Sequence, residues 1–268
     1  MLKDITLGQY FPGNTIVHRL DPRTKLLLTL LYIVTLFVAN EAPTSYLVLL
    51  AALGGMIALS RIPLRTMLRG LKPLVIIIAF TAVLNIFYTP GTPIFTLGFL
   101  HPTWEGLAHA AFMMLRILML VCGTFLLTYT TSPIALTDGL EQMLSPLKKV
   151  RFPVHELSMI MSIALRFIPI LVEETDKIMS AQKARGADFE TGGLLKRARA
   201  MVPLLVPLFV SAFRRADELA VAMECRCYHG GEGRTRLKQL HMSGRDAGAF
   251  LAGAALLAGL IALRRLGL

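Results

Sequence analysis

The stretch Leu71-Lys72-Pro73-Leu74-Val75-Ile76-Ile77-Ile78-Ala79-Phe80-Thr81-Ala82-Val83-Leu84-Asn85-Ile86-Phe87-Tyr88 decides the solvent in which this chain folds. After Lys72 no charged residue occurs until Glu105. A run of this length and apolarity is suited to crossing a bilayer, where every backbone polar group must be satisfied inside a helix. The pattern repeats upstream: from Leu26 to Ser60 the only charged residue is Glu41. One soluble core could hardly bury several such runs. The chain of 268 residues is 54% hydrophobic without counting glycine. Soluble domains average roughly 45–50% with glycine included, and the mean hydropathy here is +0.61.

Five segments are predicted to span: 25–39, 44–59, 71–88, 107–129 and 247–263. The first two fall short of the ~20 residues of a perpendicular span, so their ends must reach into flanking sequence. Residues 1–24 contain Asp4, Pro12, Gly13 and Asp21 and lack the apolar stretch of a secretory signal. Insertion is therefore expected to use the first hydrophobic segment. The fold class expected is an all-α integral membrane protein. About five transmembrane helices are joined by two long amphipathic helices between the fourth and fifth spans.

The net charge of +11 could suit nucleic acid, but its distribution marks membrane sidedness instead. Lys3, Arg19, Arg23 and Lys25 precede the first span, and Asn40-Glu41-Ala42-Pro43 after it carries no cation. Arg61, Arg65, Arg69 and Lys72 fill the second connection, while 88–106 contains neither Lys nor Arg. Between Lys148 and Arg245 lie 17 of the 28 basic residues. By the positive-inside rule the N-terminus and the long region are cytoplasmic and the C-terminus external, with Arg264 and Arg265 against the rule. This gives a cytoplasmic arm (1–24), a four-span bundle (25–131), a long cytoplasmic domain (132–244) and a C-terminal span (245–268). The expected location is a bacterial or archaeal cell membrane.

Within 132–244, residues 153–184 and 194–225 read as two helices of near thirty residues each. Glu156, Arg166, Glu173, Glu174, Asp176, Lys177 and Lys183 interrupt the first. Lys196, Arg197, Arg199 and the cluster Arg214, Arg215, Asp217, Glu218 and Glu224 flank the apolar 201–213 of the second. Thirteen residues are too few to span and suit an interfacial or packed helix. Pro169, Pro203 and Pro207 free backbone carbonyls and bend these helices. The rival reading makes 154–172 a sixth span with Arg166 near its middle. It conflicts with basic flanks on one side at both ends, which a single crossing does not allow.

Both long helices close on one arginine between small residues: Ala184-Arg185-Gly186 and Cys225-Arg226-Cys227. Cations favour the negative end of a helix dipole, and Gly186 is a ready cap. Small neighbours also leave a guanidinium unshielded, and its rigid fork pairs bidentately with carboxylates in a partner's groove. The residues alone leave both readings open. Arg116 lies inside the fourth span, where charge is costly and usually paired. It is expected in an intramembrane structural ion pair, with Glu105 and Asp138 as candidates, or bonded to freed carbonyls.

Other chemistry is missing. Cys122, Cys225 and Cys227 give no disulfide framework, and no second ligand pair follows Cys225 and Cys227 at finger-like spacing, so no metal is expected. There is no Walker loop. His18, His101, His109, His155, His229 and His241 are dispersed. No catalytic residue and no cofactor are expected.

Several blocks resemble the T component of energy-coupling factor (ECF) transporters. They are Tyr10-Phe11-Pro12-Gly13, Val17-His18-Arg19-Leu20-Asp21-Pro22-Arg23-Thr24-Lys25, Thr130-Thr131-Ser132-Pro133 and Pro153-Val154-His155-Glu156-Leu157. Ile163-Ala164-Leu165-Arg166-Phe167-Ile168-Pro169, the stretch 181–188, Pro203-Leu204-Leu205-Val206-Pro207-Leu208 and Arg214-Arg215-Ala216-Asp217-Glu218-Leu219 continue the match. The resemblance implies a non-catalytic subunit that joins two ABC-type ATPases to a membrane-embedded substrate-binding S component. It implies uptake of vitamins or transition-metal ions, and coupling helices whose apolar faces grip the S component. ATPase docking is carried onto Ala184, Arg185, Gly186, Cys225, Arg226 and Cys227. The second site departs from the family pattern, with cysteine for both small neighbours. A stand-alone secondary carrier or channel is the alternative, and it would need a polar path or interrupted helices at midplane. An intramembrane enzyme would need paired catalytic groups, which the spans lack.

Overall fold

The structure, a computed structural model, describes residues 10–39, 42–92, 102–189, 193–230 and 239–265, without the side chains of Leu194, Lys196 and Arg197. Expectations resting on Lys3, on Asn40-Glu41, on His101 and on much of 88–106 lie outside those residues. Among the described residues the regular elements are helices: α1 (Pro22–Val38), α2 (Pro43–Ser60), α3 (Leu64–Leu71), α4 (Val75–Tyr88), α5 (Trp104–Thr130), α6 (Pro133–Met143), α7 (Val154–Ala184), α8 (Leu194–Cys225) and α9 (Gly244–Arg265). Two 3-10 turns, Lys72–Leu74 and Ser145–Val150, complete them. The chain is an all-α membrane protein.

Helix starts follow local chemistry. Asp21 caps α1 by accepting from the Arg23 amide, with Pro22 at the first helical position; Thr103 caps α5 through the Gly106 amide. The third predicted span, 71–88, lies within the helical stretch Leu64–Tyr88 but is not one continuous α-helix. Leu71–Leu74 belongs to the end of α3 and a 3-10 turn, because Pro73 lacks an N–H and restricts Lys72 before it. α3 itself, α6 and the Ser145–Val150 turn are not predicted from the sequence.

Five helical stretches are long and apolar enough to cross a membrane: Pro43–Ser60, Leu64–Tyr88, Trp104–Thr130, Val154–Ala184 and Gly244–Arg265. The number agrees with expectation and the membership differs. α1 has 17 residues and carries Arg23 and Lys25 in its first turn, so it falls short on length. Val154–Ala184 qualifies because its charges gather in its C-terminal half, at Glu173, Glu174, Asp176, Lys177 and Lys183.

The chain forms two compact units: one contains α7 and α8, the other α1–α5 and α9. In the second, α5 packs on α4, α1 and α2, and α9 packs on α1. Tyr32, Leu36, Tyr46, Leu49, Leu53, Met119 and Leu260 are buried together. Lipid is as apolar as leucine, so close packing rather than burial must hold such helices together. Glycines supply that closeness. A Cβ on Gly106 would lie 2.9 Å from the carbonyl oxygens of Asn85 and Ile86, so α5 meets the end of α4 backbone to side-chain-free backbone. A Cβ on Gly123 would lie 2.6 Å from the Tyr32 ring. The outer faces carry exposed apolar side chains such as Leu47, Ile76 and Phe80. They are suited to an acyl-chain solvent.

Candidate coupling site

α7 and α8 pack on one another. Glu174 of α7 accepts from the Ser211 hydroxyl and from Arg215 Nη2, the latter at 2.8 Å. Both ends of the ion pair are partly open to solvent, so its contribution to stability is on the order of 0–1 kcal/mol. Its effect is on register. Arg185 lies eleven residues beyond Glu174, and Arg226 eleven beyond Arg215. Each arginine is thus about three turns, roughly 16 Å of helix axis, past the brace.

The two helix ends have one geometry. On α7 the Ala187 amide donates to Gln182 O at 3.0 Å and the Gly186 amide to Lys183 O at 3.0 Å. On α8 the Tyr228 amide donates to Met223 O at 3.1 Å and the Cys227 amide to Glu224 O at 2.9 Å. These are the paired reverse bonds of a Schellman cap. Arg185 (φ −87, ψ 6) and Arg226 (φ −94, ψ 14) occupy the same cap position. The following residue is left-handed in both: Gly186 at φ +88 and Cys227 at φ +55. Glycine takes that conformation freely, whereas a side chain there costs about 1 kcal/mol. Ala184, Arg185, Gly186, Cys225, Arg226 and Cys227 are all exposed. The sequence-level motif is therefore one structural device used twice.

α8 leaves a broad apolar face uncovered. Met201, Leu205, Phe209 and Phe213 form one row at four-residue spacing, and Val202, Val206 and Val210 the next; all are exposed, Phe213 to 69%. A face of that width marks an interaction surface. Among the described residues no cluster of His, Cys, Asp and Glu could hold a metal ion, and the three cysteines are free.

Arg116 does not meet a carboxylate among the described residues. Its Nε donates to the Tyr46 hydroxyl at 2.9 Å, and its guanidinium sits 5.9 Å from the centre of the Tyr46 ring. Glu105, one expected partner, instead accepts from the Thr92 amide and hydroxyl. A phenol and its π-face satisfy the cation without bringing a second charge into the bundle.

A second constellation gathers residues from three of the blocks that carry the resemblance, 10–13, 17–25 and 130–133. Asp246 is 2% exposed; its Oδ1 accepts from the Asp21 amide at 2.9 Å and its Oδ2 from the Ser243 amide at 2.7 Å. Arg23 forks onto both oxygens of Asp21 and reaches Leu240 O at 3.2 Å. Lys25 Nζ donates to His18 O and Thr130 O, at 3.1 and 2.8 Å. The His18 ring lies between Thr15 Oγ1 and Phe11 O, at 2.7 and 3.0 Å. Partial burial draws the His18 pKa below its ordinary value near 6.5, against the Phe11 carbonyl bond. The Phe11 amide bonds Tyr129 O at 2.9 Å, and the two rings meet edge to face. This joint ties the arm before α1, the end of α5 and the start of α9. Sequence reasoning found neither the helix cap at Asp21-Pro22 nor its union with Asp246.

The cobalt transport protein family (CbiQ) matches residues 13–237. The chain is 57% identical over 263 residues, 98% of its length and 99% of the relative's, to the energy-coupling factor transporter transmembrane protein EcfT of Thermosediminibacter oceani. The protein of that name in Bacillus subtilis is 52% identical over 247 residues, 92% of this chain and 93% of its own. That of Thermanaerovibrio acidaminovorans is 49% identical over 261 residues, 97% of each. By helix content, caps and likeness along nearly the whole chain, it belongs to the CbiQ family, whose members here are energy-coupling factor transporter transmembrane proteins.

Proposed function

We propose that the chain is the coupling subunit of an ECF-type ABC importer, itself non-catalytic, standing between two ABC-type ATPases and a membrane-embedded S component. The observation that carries this reading is the repeated helix end, with an exposed arginine at the same cap position of α7 and of α8. One arginine per ATPase matches a partner present in two copies. The uncovered apolar face of α8 supports a grip on the S component. In this reading Arg185 and Arg226 each enter an acidic groove on one ATPase and carry its closure into the α7–α8 brace. The N-terminus and 132–244 face the cytoplasm, the C-terminus faces outward, and α7 lies against rather than across the bilayer. The cargo is a vitamin or transition-metal ion chosen by the S component.

Affinity purification of the full chain in mild detergent tests the assembly. Two nucleotide-binding subunits and a small hydrophobic protein should co-purify. A chain that purifies alone and transports solute without ATP contradicts the reading.

A further inference from the structure

The corner between α2 and α3 has chemistry that coupling does not use. An apolar groove of about 350 Å³ is lined by Gly54, Ile57, Ala58, Ile62 and Leu64, with Arg61 at the same site. Its volume is in the range of ligand pockets, roughly 300–1,000 Å³. Arg61 follows the last residue of α2 in a left-handed conformation, φ +56. Backbone strain held by a charged side chain beside an apolar groove is a pointer to function rather than packing.

α3 continues the site. Met67 and Leu71 face its core, Leu64 and Leu68 are 63% and 65% exposed, and Arg65 and Arg69 form an exposed row of their own. Lys72 follows, also exposed. An eight-residue helix with one buried row, one exposed leucine row and one arginine row is patterned for a membrane interface. The four cations lack local counter-charge, since no Asp or Glu occurs between Glu41 and Glu105. Among the described residues the ion pairs Arg23–Asp21, His155–Glu141 and Arg215–Glu174 leave all four of them out.

We propose that this corner binds an anionic phospholipid, with an acyl chain in the groove and the phosphate on Arg61 and Arg65. Charge complementarity selects the headgroup. The apolar lining selects a lipid over a free phosphate. Arg69 and Lys72 extend the positive surface along the same interface and hold neighbouring headgroups. The inference needs the chain to be in a membrane and does not depend on ATPase docking.

The test uses the full chain in phosphatidylcholine nanodiscs with trace photoactivatable phosphatidylglycerol or, in parallel, photoactivatable phosphatidylcholine. Each basic residue near an anionic surface is worth about fivefold in association. Phosphatidylglycerol should therefore label peptides within 54–69 at least about fivefold more than phosphatidylcholine. R61Q/R65Q should remove that excess and leave phosphatidylcholine labelling unchanged. Ala58→Trp, which fills the groove, should lower labelling by both lipids. Equal labelling of wild type by the two lipids overturns the proposal, and so does an excess that survives R61Q/R65Q. Full competition by soluble glycerol phosphate would show a phosphate site without an acyl groove, and would overturn it as well. Those wild-type comparisons hold even if a variant fails to fold.

Discussion

At the scale of single residues, the two coupling-helix ends differ in one atom set. Gly186 and Cys227 both sit in the left-handed region, and only Cys227 carries a side chain there. Cys227→Gly should stabilise the end of α8 by about 0.5–1 kcal/mol, the relieved strain less the gain in unfolded-chain entropy. Gly186→Ala should cost α7 about 1 kcal/mol. Hydrogen exchange at the Tyr228 and Ala187 amides reads both, since those amides make the closing bonds; unchanged protection in either variant would show that the caps are not limiting. His18 gives a pH dependence. Its pKa is depressed in the folded chain, so the neutral ring is favoured and its contribution is intact above about pH 6.5. That contribution is lost as pH falls through the depressed value, because the unfolded chain binds the proton more readily. Protection of amides 15–20, taken relative to their intrinsic exchange rates, should fall between pH 7 and 5.5 and should lose that dependence in His18→Gln. A flat profile in wild type would place the imidazole outside the joint's energetics.

At the scale of elements, the sequence located α7 and α8 to within a residue. Pro153 and Gly193 stand before them, and the caps at Gly186 and Cys227 close them. It missed α3, whose eight residues are too few to show a period beside longer apolar runs. It could not find Tyr46 as the partner of Arg116, because seventy residues separate them and phenols leave no spacing signal. The joint between α1 and α9 was hidden for the same reason: Asp21 and Asp246 are 225 residues apart. That joint buries the Asp246 carboxylate and meets it with donors from Asp21 and Ser243. Asp246→Ala would orphan the buried amide of Asp21 and the bonds of Ser243, a loss of roughly 3 kcal/mol. Asp246→Asn keeps one acceptor and should lose about half as much. Thermal unfolding in detergent orders the three proteins wild type, Asn, Ala if this holds; an Ala variant as stable as wild type would remove the joint from the account.

At the scale of the whole molecule, hydropathy gave the membrane class directly, while the five qualifying helices include α7 and leave out α1. Length and apolarity do not distinguish a helix that crosses from one that lies against a bilayer or a partner. Sidedness has to be measured. Single cysteines at Gly98 and Gly192, in a chain freed of Cys122, Cys225 and Cys227, should be labelled from opposite sides by an impermeant reagent; labelling from the same side contradicts the proposed topology.

The central claim is that Arg185 and Arg226 join this chain to two ATPases. Removing one partner of a buried charge-assisted pair costs several kcal/mol, much of it from the carboxylate left unpaired. A helix-dipole role would be worth only about 0.3–1 kcal/mol, and lysine would fill it well. The deciding measurement is ATPase co-purification, with uptake in parallel, for wild type, the double variant Arg185→Ala with Arg226→Ala, and the matching lysine pair. The double alanine chain should insert normally yet lose its ATPases or uncouple hydrolysis from uptake, and lysine should rescue poorly because it lacks the fork. Assembly and transport at wild-type levels by the double alanine chain would contradict the coupling role of both arginines.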